Sequence, residues 1–105
     1  MDILVSQAGE VTRVALRGEF TIYAAGQKDE LLAHCAAPDV VLDLAEVSDF
    51  DSVGVQLLLL LRRDAEKAAR RLRLAAPSES VQGLLKLFGL FEYFPLCEEE
   101  GSLSC

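Results

Sequence analysis

Apolar and polar residues alternate near the start of the chain. The segment Val11–Arg17 shows this alternation, which is typical of a strand with one buried face. A shorter apolar run, Ile3–Val5, precedes it, and Gln7–Glu10 carries turn-forming residues between the two. Together these segments predict a β-hairpin that ends at Gly18.

Three later segments show the spacing of apolar residues that predicts helices. Each follows a residue type whose side chain caps helix N-termini, and glycine or proline stands near the end of the first and the last. The predicted helices are residues 22–36 after Thr21, residues 53–72 after Asp51 and Ser52, and residues 79–88 after Ser78.

Dense apolar runs lie between the predicted helices. Val40–Leu44 predicts a strand buried on both faces, and we expect residues 45–50 after it to form a loop. Short strands are predicted at residues 73–76 and 90–94, the second at a sheet edge because Pro95 follows it. Strands that alternate with helices in this way imply an α/β protein with a mainly parallel or mixed sheet.

Composition limits the classes of function. The chain has 105 residues, enough for one domain, and its net charge of −7 opposes binding to the phosphate backbone of nucleic acids. Its longest apolar run, Leu57–Leu61, is far shorter than the ~20 residues that span a bilayer, so we expect no direct membrane insertion. No basic leader precedes the first strand, and the three cysteines have no CxxC spacing, which predicts a cytoplasmic protein with reduced thiols.

The residues needed for enzymatic or metal chemistry are scarce. His34 is the single histidine, and it cannot share one ion with Cys35 because adjacent helical residues diverge by ~100°. The sequence has no Gly-x-Ser-x-Gly elbow, phosphate-binding glycine loop or dinucleotide fingerprint. We therefore predict that the protein is not an enzyme and has neither a metal site nor a cofactor.

The leucine run Leu57–Leu61 has a different implication. Five consecutive leucines in a helix point in all directions, so we expect Leu58 or Leu59 to face outward. An exposed leucine at that place would be a candidate partner-binding surface.

One stretch of the chain resembles a known family. The segment Val41–Leu44, a loop, and then Asp51–Gly54 before an apolar helix resemble the strand, loop and Asp-Ser-x-Gly helix start of STAS domains, the anti-sigma factor antagonists. Further similarities occur in order at Val14–Phe20, Leu72–Leu74 and Phe88–Leu90, so that the resemblance spans residues 3 to 96. The segment 54–58 is similar to STAS proteins that accompany chemotaxis-type kinases.

The resemblance implies a fold and a domain organisation. The fold is a single STAS-like α/β domain over residues 1–96, with a mixed four- to five-stranded sheet and helices packed mainly on one face. Residues 97–105, with three consecutive glutamates, then form an acidic C-terminal tail. We expect a monomer or a weak homodimer.

The resemblance also implies a phosphorylation switch in signal transduction and transcription regulation. The matching serine, Ser52, is phosphorylated by a partner kinase that acts as an anti-sigma factor, or by a chemotaxis-type kinase. The unphosphorylated protein binds this partner and the phosphorylated protein releases it, while a phosphatase can reverse the change. A phosphate at a helix start would be favoured by the helix dipole and by unused N–H donors.

The implied partner-binding surface surrounds Ser52. Two positions depart from the family pattern, because Val53 replaces a second hydroxyl residue and Thr21 stands where many members have aspartate. An alternative function is open, since some STAS proteins are unphosphorylated subunits that dock on the ATPase of a lipid-transport ABC transporter. The expected partner-binding residues are Thr21, Asp49, Asp51, Val53, Gly54 and Gln56.

Overall fold

Alternating apolar residues in the first third of the chain form a hairpin that is the start of a sheet. The structure is a computed structural model that describes residues 1–96, so the predicted acidic tail at 97–105 lies outside the described residues. Two short 3-10 helices, Ile22–Gln27 and Phe91–Tyr93, accompany the main elements. The main elements are β1 (Asp2–Ala8), β2 (Val11–Phe20), α1 (Lys28–His34), β3 (Asp39–Phe50), α2 (Ser52–Lys67), β4 (Arg71–Ala75) and α3 (Glu79–Leu87).

The sheet contains four strands in the order β1-β2-β3-β4. The hairpin strands β1 and β2 are antiparallel, whereas β2 with β3 and β3 with β4 are parallel. Parallel neighbours need a crossover, and the helical segments between them supply it. This mixed sheet confirms the predicted fold class.

All three helices contribute to one hydrophobic core on one face of the sheet. Leu31 of α1, Leu58 of α2 and Leu85 of α3 are almost fully buried against strand residues such as Val14 and Leu42. On the other face Val41 and Ala75 form a second small buried cluster. Strand β3 is therefore buried on both faces, as its apolar run predicts.

The helix-free face is bordered by ion pairs between neighbouring strands. Arg13 lies 2.9 Å from Asp43, and Arg73 lies 2.9 Å from Asp39. These long side chains flank Val41 and Ala75 and cover apolar surface with their methylene groups while keeping their charges paired.

The prediction of a loop at residues 45–50 is wrong, because β3 continues to Phe50. Glu46, Val47, Asp49 and Phe50 pair with residues 17–20 of β2, across two register shifts. The polar residues in this segment suggested a loop, but they lie on an exposed stretch of strand, and Val47 alone is buried there. The consequence is that β3 reaches the first turn of α2.

Two other predicted boundaries differ. The helix predicted at 22–36 is split, with a 3-10 helix to Gln27 and an α-helix from Lys28. The helix predicted to reach residue 72 ends at Lys67, because Ala69 adopts a positive φ of 56° and the chain turns into β4. Leu72 then packs in the core from the strand.

The predicted strand at residues 90–94 is also wrong. This segment forms a 3-10 helix, and only Leu96 makes an isolated parallel bridge, to Leu74. The Leu74 N–H donates to the Pro95 carbonyl at 2.9 Å, but proline has no N–H with which to extend a ladder. Within residues 1–96, no helix has the combination of length and apolar character that crossing a bilayer requires.

Candidate functional site

Asp51 is the single residue between β3 and α2, and its carboxylate organises the helix start. Oδ1 accepts hydrogen bonds from the backbone N–H groups of Val53 at 2.9 Å and Gly54 at 3.1 Å. Oδ2 accepts from the N–H of Ile22 at 3.1 Å, which ties the 3-10 helix to the same point. Of the two candidate caps, Asp51 is therefore the N-cap, and Ser52 is the first helical residue.

Ser52 is exposed at the N-terminus of α2. Within the described part of the chain, its hydroxyl makes no hydrogen bond. A serine that caps a helix has its side-chain oxygen occupied by the backbone, whereas this one is available to another molecule.

The charge around Ser52 is negative, and two donors of the helix start are already used. Asp51 occupies the N–H groups of Val53 and Gly54. The expectation that a phosphate on Ser52 would find those N–H groups unused is therefore wrong. A phosphate there would instead lie beside the Asp51 carboxylate. The exposed Asp49, two residues before Asp51, adds a further negative charge to this region.

Gly54 allows α2 to approach the sheet closely. A Cβ at this position would collide with the Phe20 carbonyl oxygen and would lie 2.7 Å from two ring carbons of Phe50. The rings of Phe20 and Phe50 pack with their centroids 5.5 Å apart, at the matched ends of β2 and β3. Gly54 is buried, so it affects the site through the position of the helix.

The other predicted site residues surround this helix start. Thr21 is half-buried, and its hydroxyl accepts from the N–H of Tyr23 at 3.3 Å. Asp49 is exposed near the end of β3, Val53 is half-buried against the core, and Gln56 is exposed one turn beyond Ser52. The structure thus brings the predicted residues to one end of the sheet, although Gly54 has no side chain to offer a partner.

An apolar cavity adjoins Ser52. It has a volume of about 310 Å³ and is lined by Ser52, Val55, Gln56, Phe88 and Leu90. Phe88 is 50% exposed, and Ile22, whose N–H binds Asp51, is 61% exposed. Exposed large apolar side chains near a cavity are typical of protein-binding surfaces.

Sequence reasoning missed the apolar part of this site. Phe88 and Leu90 follow α3, more than thirty residues after Ser52, and only the packing of α3 beside α2 brings them together. One sequence signal was present, because the adjacent Leu87 and Phe88 cannot both lie on the single buried stripe of an amphipathic helix. Leu87 is in fact 75% exposed.

The thiol of Cys35 is a buried titratable group that does not line this site. Cys35 is buried in the core, and desolvation raises the pKa of its thiol to about 12, although the nearby Arg70 charge acts in the opposite direction. The Arg70 guanidinium also donates to the Cys35 carbonyl at 2.8 Å. Among residues 1–96, no group of three or more His, Cys, Asp or Glu side chains is arranged to hold a metal ion.

Comparisons with known proteins cover almost the whole chain. A family model described as "Mlab, STAS domain" matches residues 3–97. The structure of the anti-sigma factor antagonist SpoIIAA in its unphosphorylated form is 25% identical, with a TM-score of 0.74 over 94% of this chain and 90% of that one.

Two further structures agree in fold. An anti-sigma factor antagonist from Mycobacterium paratuberculosis is 24% identical, with a TM-score of 0.80 over 94% of this chain and 86% of that one. The Bacillus cell fate determinant SpoIIAA in its phosphorylated form is 24% identical, with a TM-score of 0.65 over 94% of each chain. These neighbours have the architecture described above.

Proposed function

Since the chain belongs to the STAS domain family, we propose that it is a regulatory module that binds a partner protein through the surface around Ser52 and releases it when Ser52 is phosphorylated. The partner is a serine kinase that acts as an anti-sigma factor or a chemotaxis-type kinase, and a phosphatase restores the unphosphorylated form. In this proposal the protein acts in the cytoplasm and catalyses no reaction of its own.

The observation that carries this proposal is the exposed hydroxyl of Ser52 beside an apolar cavity. A kinase needs an accessible hydroxyl, and the backbone leaves this one unbound in residues 1–96 because Asp51 caps the helix. The cavity with Phe88 and Leu90 offers the apolar contact area that a protein partner needs. Thr21, Asp49, Val53 and Gln56 border the same helix start and complete the proposed surface.

Electrostatics explains how a phosphate would release the partner. Phosphorylation adds about −1.5 to −2 charges at neutral pH. Asp49 and Asp51 already make this region negative, and two donors that could neutralise a phosphate are bound to Asp51. Because like charges placed together in an interface cost several kcal/mol, and ~1.4 kcal/mol is a factor of ten, a micromolar complex would dissociate.

The relatives support the proposal at the level of the family. SpoIIAA is an anti-sigma factor antagonist whose structure is known in an unphosphorylated and a phosphorylated form. A regulatory role through protein binding is common to such neighbours.

The phosphorylation step can be tested by mass spectrometry. The purified protein is incubated with ATP and each serine kinase that is found encoded near its gene, and the intact mass is measured. We expect one phosphate on the wild type, none on Ser52→Ala, and one on Ser6→Ala, a matched change at another exposed serine. Equal incorporation into wild type and Ser52→Ala would disprove Ser52 as the site.

The release step needs a separate measurement. The affinity of the kinase is compared for wild type, Ser52→Ala and Ser52→Asp by calorimetry. We expect Ser52→Ala to bind like the wild type, and Ser52→Asp to bind at least about tenfold more weakly, a change of ~1.4 kcal/mol. Full affinity of Ser52→Asp would argue against release even if Ser52 is phosphorylated.

A second candidate function has its own supporting observation. Val53 offers no alternative hydroxyl, and Ile22, Tyr23 and Phe88 are exposed apolar side chains whose contact with a partner would need no phosphate. A subunit that docks permanently on a lipid-transport ABC ATPase fits these features. This candidate predicts stable binding to the ATPase that is the same for wild type and Ser52→Ala, and no phosphate from ATP and the kinase.

A further inference from the structure

The surface of α2 that begins at Ser52 continues along the whole helix. Residues three, four or seven positions apart lie on one side of an α-helix. We use the name outer stripe for the residues of α2 that follow this spacing and are exposed or half-exposed. The outer stripe consists of Ser52, Gln56, Leu59, Leu60, Arg63, Glu66 and Lys67.

A second cavity lies on the outer stripe beside the first. It has a volume of about 230 Å³ and is lined by Gln56, Leu59, Leu60 and Arg63. Gln56 also lines the 310 Å³ cavity at Ser52, so the two cavities adjoin along the helix. Together they form a shallow groove from Ser52 to Arg63.

The leucine run explains the apolar character of this groove. Leu57, Leu58 and Leu61 are buried in the core, and Leu58 is fully covered, so it does not face outward. Leu59 and Leu60 remain half-exposed, as the sequence predicts for Leu59. Burying both against a partner would contribute favourable free energy, at about 25 cal/mol for each Å² of apolar surface.

The charges along the outer stripe have a direction. Asp49 and Asp51 lie at its start, whereas Arg63 and Lys67 are exposed at its other end, where the one acidic residue of the stripe, Glu66, is paired with Arg62. Arg62, which is next to Arg63, is held by Glu66 at 3.1 Å and lies over the Tyr93 ring at 4.4 Å. Within residues 1–96, neither Arg63 nor Lys67 has an ion-pair partner.

We propose that the outer stripe is a docking groove for an amphipathic helix of the partner protein, with apolar residues in the middle of that helix and acidic residues at the end over Arg63 and Lys67. The inference rests on the proposed function only in assigning the helix to the same partner. An apolar groove that ends at the exposed Arg63 and Lys67 selects such a helix by charge complementarity.

The length of the groove fits this occupant. Eleven residues separate Ser52 from Arg63, which corresponds to ~16 Å, or about three turns of a helix. A partner helix of that length would contact both cavities and end beside Ser52.

A synthetic peptide provides the probe. We would use a helical peptide of about four turns with leucines at positions i, i+4 and i+7 and glutamates in its last turn, and a matched peptide with lysines in place of the glutamates. Binding to the full-length protein is followed through its amide NMR signals. We expect saturable shifts at Gln56, Leu59, Leu60 and Arg63 with the glutamate peptide, and at least about tenfold weaker binding of the lysine peptide.

Two variants complete the test. Arg63→Glu should reverse the preference between the peptides, whereas Arg71→Glu, the same charge change on the helix-free side of the sheet, should leave it unchanged. Equal affinity for both peptides, shifts confined to other elements, or no effect of Arg63→Glu would overturn the inference. Because the peptide experiment involves no kinase or phosphate, its failure is distinguishable from failure of the proposed switch.

Discussion

The carboxylate of Asp51 joins three parts of the chain through the N–H groups of Val53, Gly54 and Ile22. Substitution of a helix N-cap by alanine costs about 0.5–2 kcal/mol. We expect Asp51→Ala to lower the free energy of unfolding by about 1–2 kcal/mol, and Asp51→Asn, which keeps one acceptor oxygen, to cost less.

Urea denaturation measures this difference. The exposed Asp49 has the same charge, but its side chain makes no hydrogen bond within residues 1–96, so Asp49→Ala serves as the control and should change stability little. If both alanine variants lost equal stability, charge and not capping would be the role of Asp51.

Gly54 is constrained by space. Gly54→Ala would push its new methyl group into the Phe20 carbonyl oxygen and the Phe50 ring. Overpacking of this kind costs about 1–3 kcal/mol, and it would displace the start of α2 from the sheet.

Gly83 in α3 provides the matched control for this substitution. A Cβ at Gly83 meets no atom within 4 Å, so Gly83→Ala should raise stability by about 0.5–1 kcal/mol through its better helix propensity. Thermal unfolding of both variants checks the opposite signs. Stabilisation by Gly54→Ala would contradict the close approach of α2 to the sheet.

The sequence predicted that a polar residue caps α2, but it could not choose between Asp51 and Ser52. Both residue types are good caps, and the choice depends on where the strand before them ends. Since β3 continues to Phe50, Asp51 is left as the one residue outside both elements. The availability of the Ser52 hydroxyl follows from a strand boundary that the local residue pattern did not reveal.

At the level of secondary structure, the end of α2 contains an unfavourable backbone conformation. Ala69 has a positive φ of 56°, in the region that costs L-residues about 1–2 kcal/mol and that glycine adopts readily. We expect Ala69→Gly to stabilise the protein by about 1 kcal/mol in chemical denaturation, less the greater entropy of glycine in the unfolded chain.

The neighbouring alanine separates this effect from glycine flexibility in general. Ala68 has a φ of −97°, which an L-residue adopts without strain. Ala68→Gly should therefore destabilise the protein by a few tenths of a kcal/mol to about 1 kcal/mol. Loss of stability in both variants would indicate that the turn after α2 tolerates alanine without cost.

The order of elements was largely predictable, whereas their ends were not. The hairpin, the central strand and three helical segments follow from local periodicity, because a buried face imposes it. The second half of β3 has little such periodicity and is a strand because it pairs with β2. The strand prediction for residues 90–94 was wrong for the opposite reason. The segment has the apolar composition of a strand, but within residues 1–96 the edge of β4 pairs beyond the sheet only with Leu96.

For the molecule as a whole, the buried thiol of Cys35 links stability to alkaline pH. Burial raises its pKa from 9.0 to about 12 in the folded protein. The unfolded chain therefore loses this proton first, and the stability present below about pH 9 declines towards pH 12 by up to ~1.4 kcal/mol per pH unit.

The comparison with Cys35→Ala isolates this contribution from other groups that titrate in the same range. Cys97 and Cys105 are present in both proteins, so their ionisation cancels in the difference. We expect the stability difference between wild type and variant, measured by urea denaturation, to shrink from about pH 8 to about pH 11. A constant difference would mean that the thiol ionises equally in both states.

The assembly of the candidate site illustrates what local patterns cannot supply. The predicted residues around Ser52 come mainly from one continuous stretch, so the family resemblance could identify them together. Ile22 and Phe88 reach the same end of the sheet only through the packing of separate elements. The apolar half of the surface therefore required the three-dimensional structure.

Only Asp51 lies between the end of β3 and the start of α2. Its side chain also binds the N–H of Ile22, at the start of the 3-10 helix that follows β2. A junction this short, with its first turn pinned, leaves no hinge through which the helix could swing. We therefore expect phosphorylated and unphosphorylated forms to superimpose and to show the same amide exchange outside the first turn of α2. Phosphorylation would then change the affinity only of a molecule that contacts Ser52. The affinity of a second binding site elsewhere on the domain would stay the same.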